Sequence, residues 1–176
     1  MRWAAAGVSS VANAETAAMM TASIQDPLVD ELVRWHLRQI PVEVTGPDSE
    51  TVGEWFEGKV DFPVAPPDFD RSAHLLGGRL GHVEDADAAM LVYDAGGAKL
   101  SVIVFDPAGR QLPTAHTPDG REVPFFVARR SGYSIAVHQR GGIAYAFASE
   151  LPDDRLEALV ESALRHGLPG AAVPAH

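Results

Sequence analysis

Seven histidines and 24 acidic residues give this chain the raw material for metal binding and for general acid–base work. Neutral imidazole and carboxylate oxygen both ligate divalent metals, and imidazole exchanges protons near neutral pH. His74 and His82 stand eight residues apart, Glu84, Asp85 and Asp87 follow closely, and His138 lies on a later apolar run. These three histidines are the metal candidates. Their spacing does not favour the role: no HExxH, His-x-His or other short paired spacing occurs. Histidines scattered on strands are ordinarily solvated or held by one hydrogen bond. The chain has no cysteine, which excludes disulfides, thiolate zinc sites and cysteine nucleophiles. No serine sits in a G-x-S-x-G elbow, and Ser131 and Ser134 in "SGYS" read as the start of a strand. Gly77-Gly78-Arg79 and Gly141-Gly142 look like phosphate loops, but neither opens a helix that would aim amides at an anion. Arg79 reads as one half of an internal ion pair. The residues by themselves predict no catalytic group, no cofactor and no metal.

The densest aromatic stretch is "GEWFEGKVDFPVAPPDF", 53–69, where Trp55, Phe56, Phe62 and Phe69 share 17 positions with Pro63, Pro66 and Pro67. Rings among prolines can line a binding groove. The commoner outcome is a segment that folds over one end of a sheet and buries the rings, and that is the expectation here. Partner or ligand contact remains the alternative.

Both roles need a scaffold, and the sequence outlines one. Asp26 and Pro27 suit a helix start, and Leu28, Val29, Leu32, Val33, His36, Leu37 and Ile40 recur at helical spacing until Pro41 stops the run. A short strand-like "PVEV" follows. Thr51 and Glu54 then have capping-box spacing for a second, short helix, with Gly58 as its left-handed stop. Pro63, Pro66 and Pro67 deny regular structure up to about Arg71. Six strand-like runs come next: 74–83, 88–94, 99–106, 122–130, 133–140 and 143–149. Gly96-Gly97 and Gly141-Gly142 read as hairpin turns, so neighbouring runs pair antiparallel. The stretch 107–121 reads as a polar, proline-rich loop. A last helix spans Pro152 to His166, with Leu156, Leu159, Val160, Ala163 and Leu164 on one side and Gly167 and Pro169 ending it.

The predicted fold is α+β: an antiparallel sheet of five or six strands packed against an N-terminal and a C-terminal helix. One domain, 25–167, is flanked by tails at 1–24 and 168–176. For the first tail three readings stay open: a disordered end, a signal peptide, or the remnant of a membrane segment. A formal net charge of −10 with no Lys/Arg cluster argues against nucleic acid as a partner.

Four blocks taken in order, "ETVGEWFEGKVDF" (50–62), "LLGGRLGHVEDADAAMLVYD" (75–94), "LSVIVFDP" (100–107) and "GYSIAVHQRGGIAYAFASEL" (132–151), make a pattern. It resembles the extracytoplasmic C-terminal region of bacterial transmembrane anti-sigma factors and related transmembrane transcriptional regulators. The resemblance covers about Glu31 to Val160. In that family a cytoplasmic zinc-binding helical domain grips the sigma factor, a single membrane helix follows, and the outer domain senses or interacts. This chain has no His/Cys zinc signature and no complete membrane span. Where the family pattern carries a histidine before the threonine and Lys-Pro before the tryptophan, Glu50 and Gly53-Glu54 stand here.

The resemblance implies a non-enzymatic regulatory or sensor domain on the periplasmic or extracytoplasmic face, or in the cytoplasm if Met1 is the true start and no export signal acts. Membrane association would come through an upstream segment, and contact with a sigma factor would be indirect, through a missing cytoplasmic domain. It also implies that Trp55, Phe56, Gly58, Asp61, Phe62, Gly77, Gly78 and Arg79 form a structural signature capping the sheet, with contact to a protein or small ligand outside the membrane as their second role. An exported module binding a small ligand or metal is the alternative function.

Overall fold

The computed structural model describes residues 27–46, 48–109, 112, 115–116, 122–123, 125–166 and 168. In chain order the elements are α1 (Pro27–Leu37), α2 (Ser49–Trp55), β1 (His74–Val83), β2 (Ala86–Ala95), β3 (Ala98–Phe105), β4 (Ala115–His116), β5 (Glu122–Val123), β6 (Phe125–Arg130), β7 (Tyr133–Arg140), β8 (Ile143–Ser149) and α3 (Asp153–Arg165). The predicted α+β class holds. Six strands form one antiparallel sheet in the order β1-β2-β3-β8-β7-β6. Two three-stranded meanders thus meet along their last strands, β3 and β8.

Alternation along each strand serves both faces. In β3, Leu100, Val102 and Val104 join one apolar cluster, while Ile103 and Phe105 join the other. Burial on both sides explains why these runs read as nearly continuous apolar sequence. Over one face lies α1, whose Leu28, Val29, Leu32 and Val33 pack on Met90, Ile103, Ile135 and Val137. Each such side chain stabilises the docking by about 1.5–3 kcal/mol. The other face carries α2, the irregular segment after it, and Leu156, Leu159, Val160 and Ala163 of α3.

Local chemistry sets the helix ends, and several differ from expectation. The α1 helix stops at Leu37, where the Arg38 amide turns back to the Trp35 carbonyl (3.2 Å). Periodicity breaks there, so Leu37 and Ile40 are not on the buried face; they are 48% and 37% exposed. The Lys99 ammonium donates to the His36 and Arg38 carbonyls (2.8 and 3.2 Å) and so satisfies acceptors at the helix end. The N-cap of α2 is Asp48 and not Thr51: its carboxylate accepts from the Thr51 amide at 2.8 Å. That hydrogen bond holds the Asp48 carboxyl below the usual range. The expected strand at "PVEV" is a single bridge between Val44 and Gly78. At α3, Pro152 caps without a side-chain bond, Leu164 is only partly buried, and Ser162 takes a place in the buried stripe.

The strand expectations need two corrections. The run 122–130 is split into β5 and β6, and β5 pairs with β4 (Ala115 with Val123, His116 with Glu122), so 107–121 is not wholly irregular. Moreover, β2 begins at Ala86 because Glu84 and Asp85 both take positive φ (51° and 68°), closing a tight hairpin without glycine. Glycine pairs 96–97 and 141–142 have positive φ, as their turns require. Asp26, Gly167, the first tail, 169–176 and much of 107–121 lie outside the described residues, while Leu168, read as the start of the second tail, is buried in the core. Among the described residues no helix is long and apolar enough to cross a membrane.

Candidate functional site

The aromatic stretch runs from α2 across one face of the sheet. Phe56 and Phe69 are 1% exposed and belong to the core. Phe69 packs edge-on against Tyr93 (4.9 Å between centroids) and Phe147 (6.1 Å). The Tyr93 hydroxyl donates to the Pro67 carbonyl at 2.8 Å, pinning the proline-rich run to β2. Burial, with the Asp68 charge second, pushes that phenol far above its ordinary range, so it stays a donor. Trp55 and Phe62 are partly buried, and both pack against the same core. Lys59 closes the exposed side of Trp55, its ammonium 4.5 Å from the ring centroid and 2.7 Å from the Trp55 carbonyl.

Two of the sequence blocks meet here. Gly78 of β1 leaves the space that Phe56 fills: a Cβ on Gly78 would lie 3.0 Å from the Phe56 Cζ. Gly77 sits at a bulge, and a Cβ there would come 2.5 Å from the Val44 carbonyl oxygen. Arg79 donates to the Pro41 carbonyl (3.0 Å) and approaches Glu43 (4.0 Å), holding 41–44 along the sheet edge as an internal partner. Gly58 takes a left-handed φ of 78°, and Asp61 is exposed. Trp55, Phe56, Phe62, Gly77, Gly78 and Arg79 thus make packing and bracing contacts around α2 and the β1 edge.

The candidate metal histidines are spread over the sheet. His74 and His82 are both exposed on β1, and His82 pairs with Asp87 at 3.3 Å. His138 is buried in β7, four strands away in the sheet order, or about 19 Å at the usual strand spacing. Among the described residues no three His, Asp or Glu side chains converge as a metal site.

One concavity of ligand size involves a candidate. His74, Asp48, Asp68, Phe69 and Tyr93 line an open hollow of about 330 Å³ beside the start of β1. Asp48 is engaged in capping α2, and Asp68 accepts from the Asp70 amide at 2.8 Å. Acidic groups beside an imidazole suit a cationic ligand. Sequence reasoning missed this grouping because its members lie on three separate segments.

No family model and no curated protein matches this chain. The reading of its surface therefore rests on the chemistry of its own residues. That chemistry includes a buried polar contact under α1, also unforeseen. The His36 Nδ1 lies 2.8 Å from the Ser101 hydroxyl, and the imidazole meets the Tyr133 ring edge-on at 5.3 Å. Burial, followed by the nearby Lys99 charge, lowers the His36 pKa to about 4, so the ring is neutral at pH 7.

Proposed function

We propose that this chain is a non-enzymatic regulatory domain of the kind carried outside the membrane by anti-sigma factors. The observation that carries this reading is the seat of Phe56 on Gly78, because residues from two of the blocks that make the resemblance belong to one packed unit. Such residues specify a shape, and they are engaged with one another instead of converging on a reaction centre. The placement of α1 supports the same reading. It is an amphipathic helix lying over a sheet face, at the end of the domain where an upstream membrane segment would join. A change at the sheet would reach such a segment through that helix.

The test uses the natural full-length gene product, tagged and purified from its own cells under mild detergent. Co-purification of an extracytoplasmic-function sigma factor is expected. An open reading frame with neither an upstream zinc-binding domain nor a membrane helix, and no sigma factor in the eluate, counts decisively against it.

The hollow at His74 favours a second reading, an exported module that binds a metal or a small cationic ligand. Calorimetric titration with zinc and with copper discriminates the metal version. Saturable heat that disappears in His74→Ala supports it, and flat titrations at micromolar metal remove it.

A further inference from the structure

We infer that the surface around the C-terminal end of α1 docks an acidic peptide segment of a partner protein, one carboxylate seated among Arg38, Arg79 and Lys99 and an apolar neighbour lying on Ile40. Trp35, Arg38, Ile40, Arg79 and Lys99 share one small cleft with a volume of about 20 Å³, room for a single oxygen atom. In a chain of formal charge −10, a cleft lined by three cations is a local inversion of sign.

The internal partners of these cations leave most of that charge uncancelled. Among the described residues Lys99 donates to the two carbonyls at the end of α1, which are neutral acceptors. Arg38 lies over the Trp35 ring at 4.4 Å. Among the described residues, neither Arg38 nor Lys99 has a carboxylate within ion-pair distance. Arg79 has Glu43, but at 4.0 Å, and that carboxylate is 44% exposed. Arg38 is exposed while its guanidinium is stacked, so its fork is held in place with free donor edges.

Apolar surface adjoins the charge. Among the described residues, large hydrophobic side chains are exposed at Leu37, Ile40 and Leu76, and one of these, Ile40, lines the cleft. A carboxylate alone would leave Ile40 wet, and a purely apolar segment would leave the cations unmatched. A segment carrying both groups satisfies the whole surface, with electrostatics setting specificity and encounter rate. The surface would take such a partner whether or not the chain serves a sigma factor.

The experiment measures fluorescence anisotropy of a short fluorescein-labelled peptide alternating leucine and glutamate, added to the full chain at low and high salt. Saturable binding that weakens with salt is expected, with a loss of about tenfold or more in Arg38→Glu and a comparable loss in Ile40→Asp. Arg38 is exposed, so its variant should melt like the parent, and the unfolding curve checks that. Equal binding of a leucine–lysine peptide, insensitivity to both substitutions, or no binding at low salt would overturn the inference. Full displacement by acetate at matched carboxylate concentration would do so too, because a lone anion would then account for the site.

Discussion

At Gly53 a methyl group would lie 2.5 Å from the Val64 carbonyl oxygen, a contact with backbone that no side-chain rotation relieves. Helix propensity argues the opposite way, since Gly in a helix interior costs about 1 kcal/mol relative to Ala. Here the close approach wins. Gly53→Ala should destabilise the fold by about 1–3 kcal/mol, seen as a lower urea midpoint; an unchanged or raised midpoint would mean that the α2–Val64 contact is loose. The sequence shows a glycine inside a short helix but not what crosses it, because Val64 arrives through an irregular run with no periodicity to read. Asp48 was hidden for a related reason: Asp48, Ser49 and Thr51 all have capping side chains, and only the backbone geometry selects among them.

The α1 helix shows how far periodicity reaches. It identified Leu28, Val29, Leu32, Val33 and His36 correctly, all of them buried. It failed at Leu37 and Ile40, because the helix stops at Leu37 and turns at Arg38, and a repeat in sequence does not tell where that turn begins. Leu32→Ala should therefore cost about 2–5 kcal/mol, while Leu37→Ala, at 48% exposed, should shift the midpoint little. The pH dependence of the same helix follows from His36. Its folded pKa of about 4 lies below its ordinary 6.5, so as pH falls the unfolded chain takes up the proton first. Its contribution is complete above pH 6.5 and is lost progressively towards pH 4, by about 3 kcal/mol in all. Stability measured from pH 7 down to pH 5 should fall in the parent and fall less in His36→Asn; parallel curves would show that the imidazole is not held neutral.

For the molecule as a whole, the six runs and their glycine turns made antiparallel hairpins legible, and the two amphipathic helices made a helix-covered sheet legible. The order of the two meanders was not legible. It depends on β3 meeting β8 across the whole intervening stretch 106–142, and no local signal encodes which strands become central. That central pairing ties the two cores together, since residues of β3 alternate between them. Trp35 belongs to the α1 side and Trp55 to the opposite side, so single-tryptophan variants made with phenylalanine report each face separately. At pH 7 their urea midpoints should coincide, because neither face can lose its strands alone. At pH 5 protonation opposes the burial of His36 on α1, whereas on α3 burial and the charges of Asp153, Glu161 and Asp154 push the Glu157 carboxyl up, so proton uptake there favours the folded state. The Trp35 transition should then come first. Separation already at pH 7 would make α1 an independent unit, and coincidence at both pH values would mean that α1 cannot leave the sheet without unfolding it, removing it as a route for signals to an upstream segment.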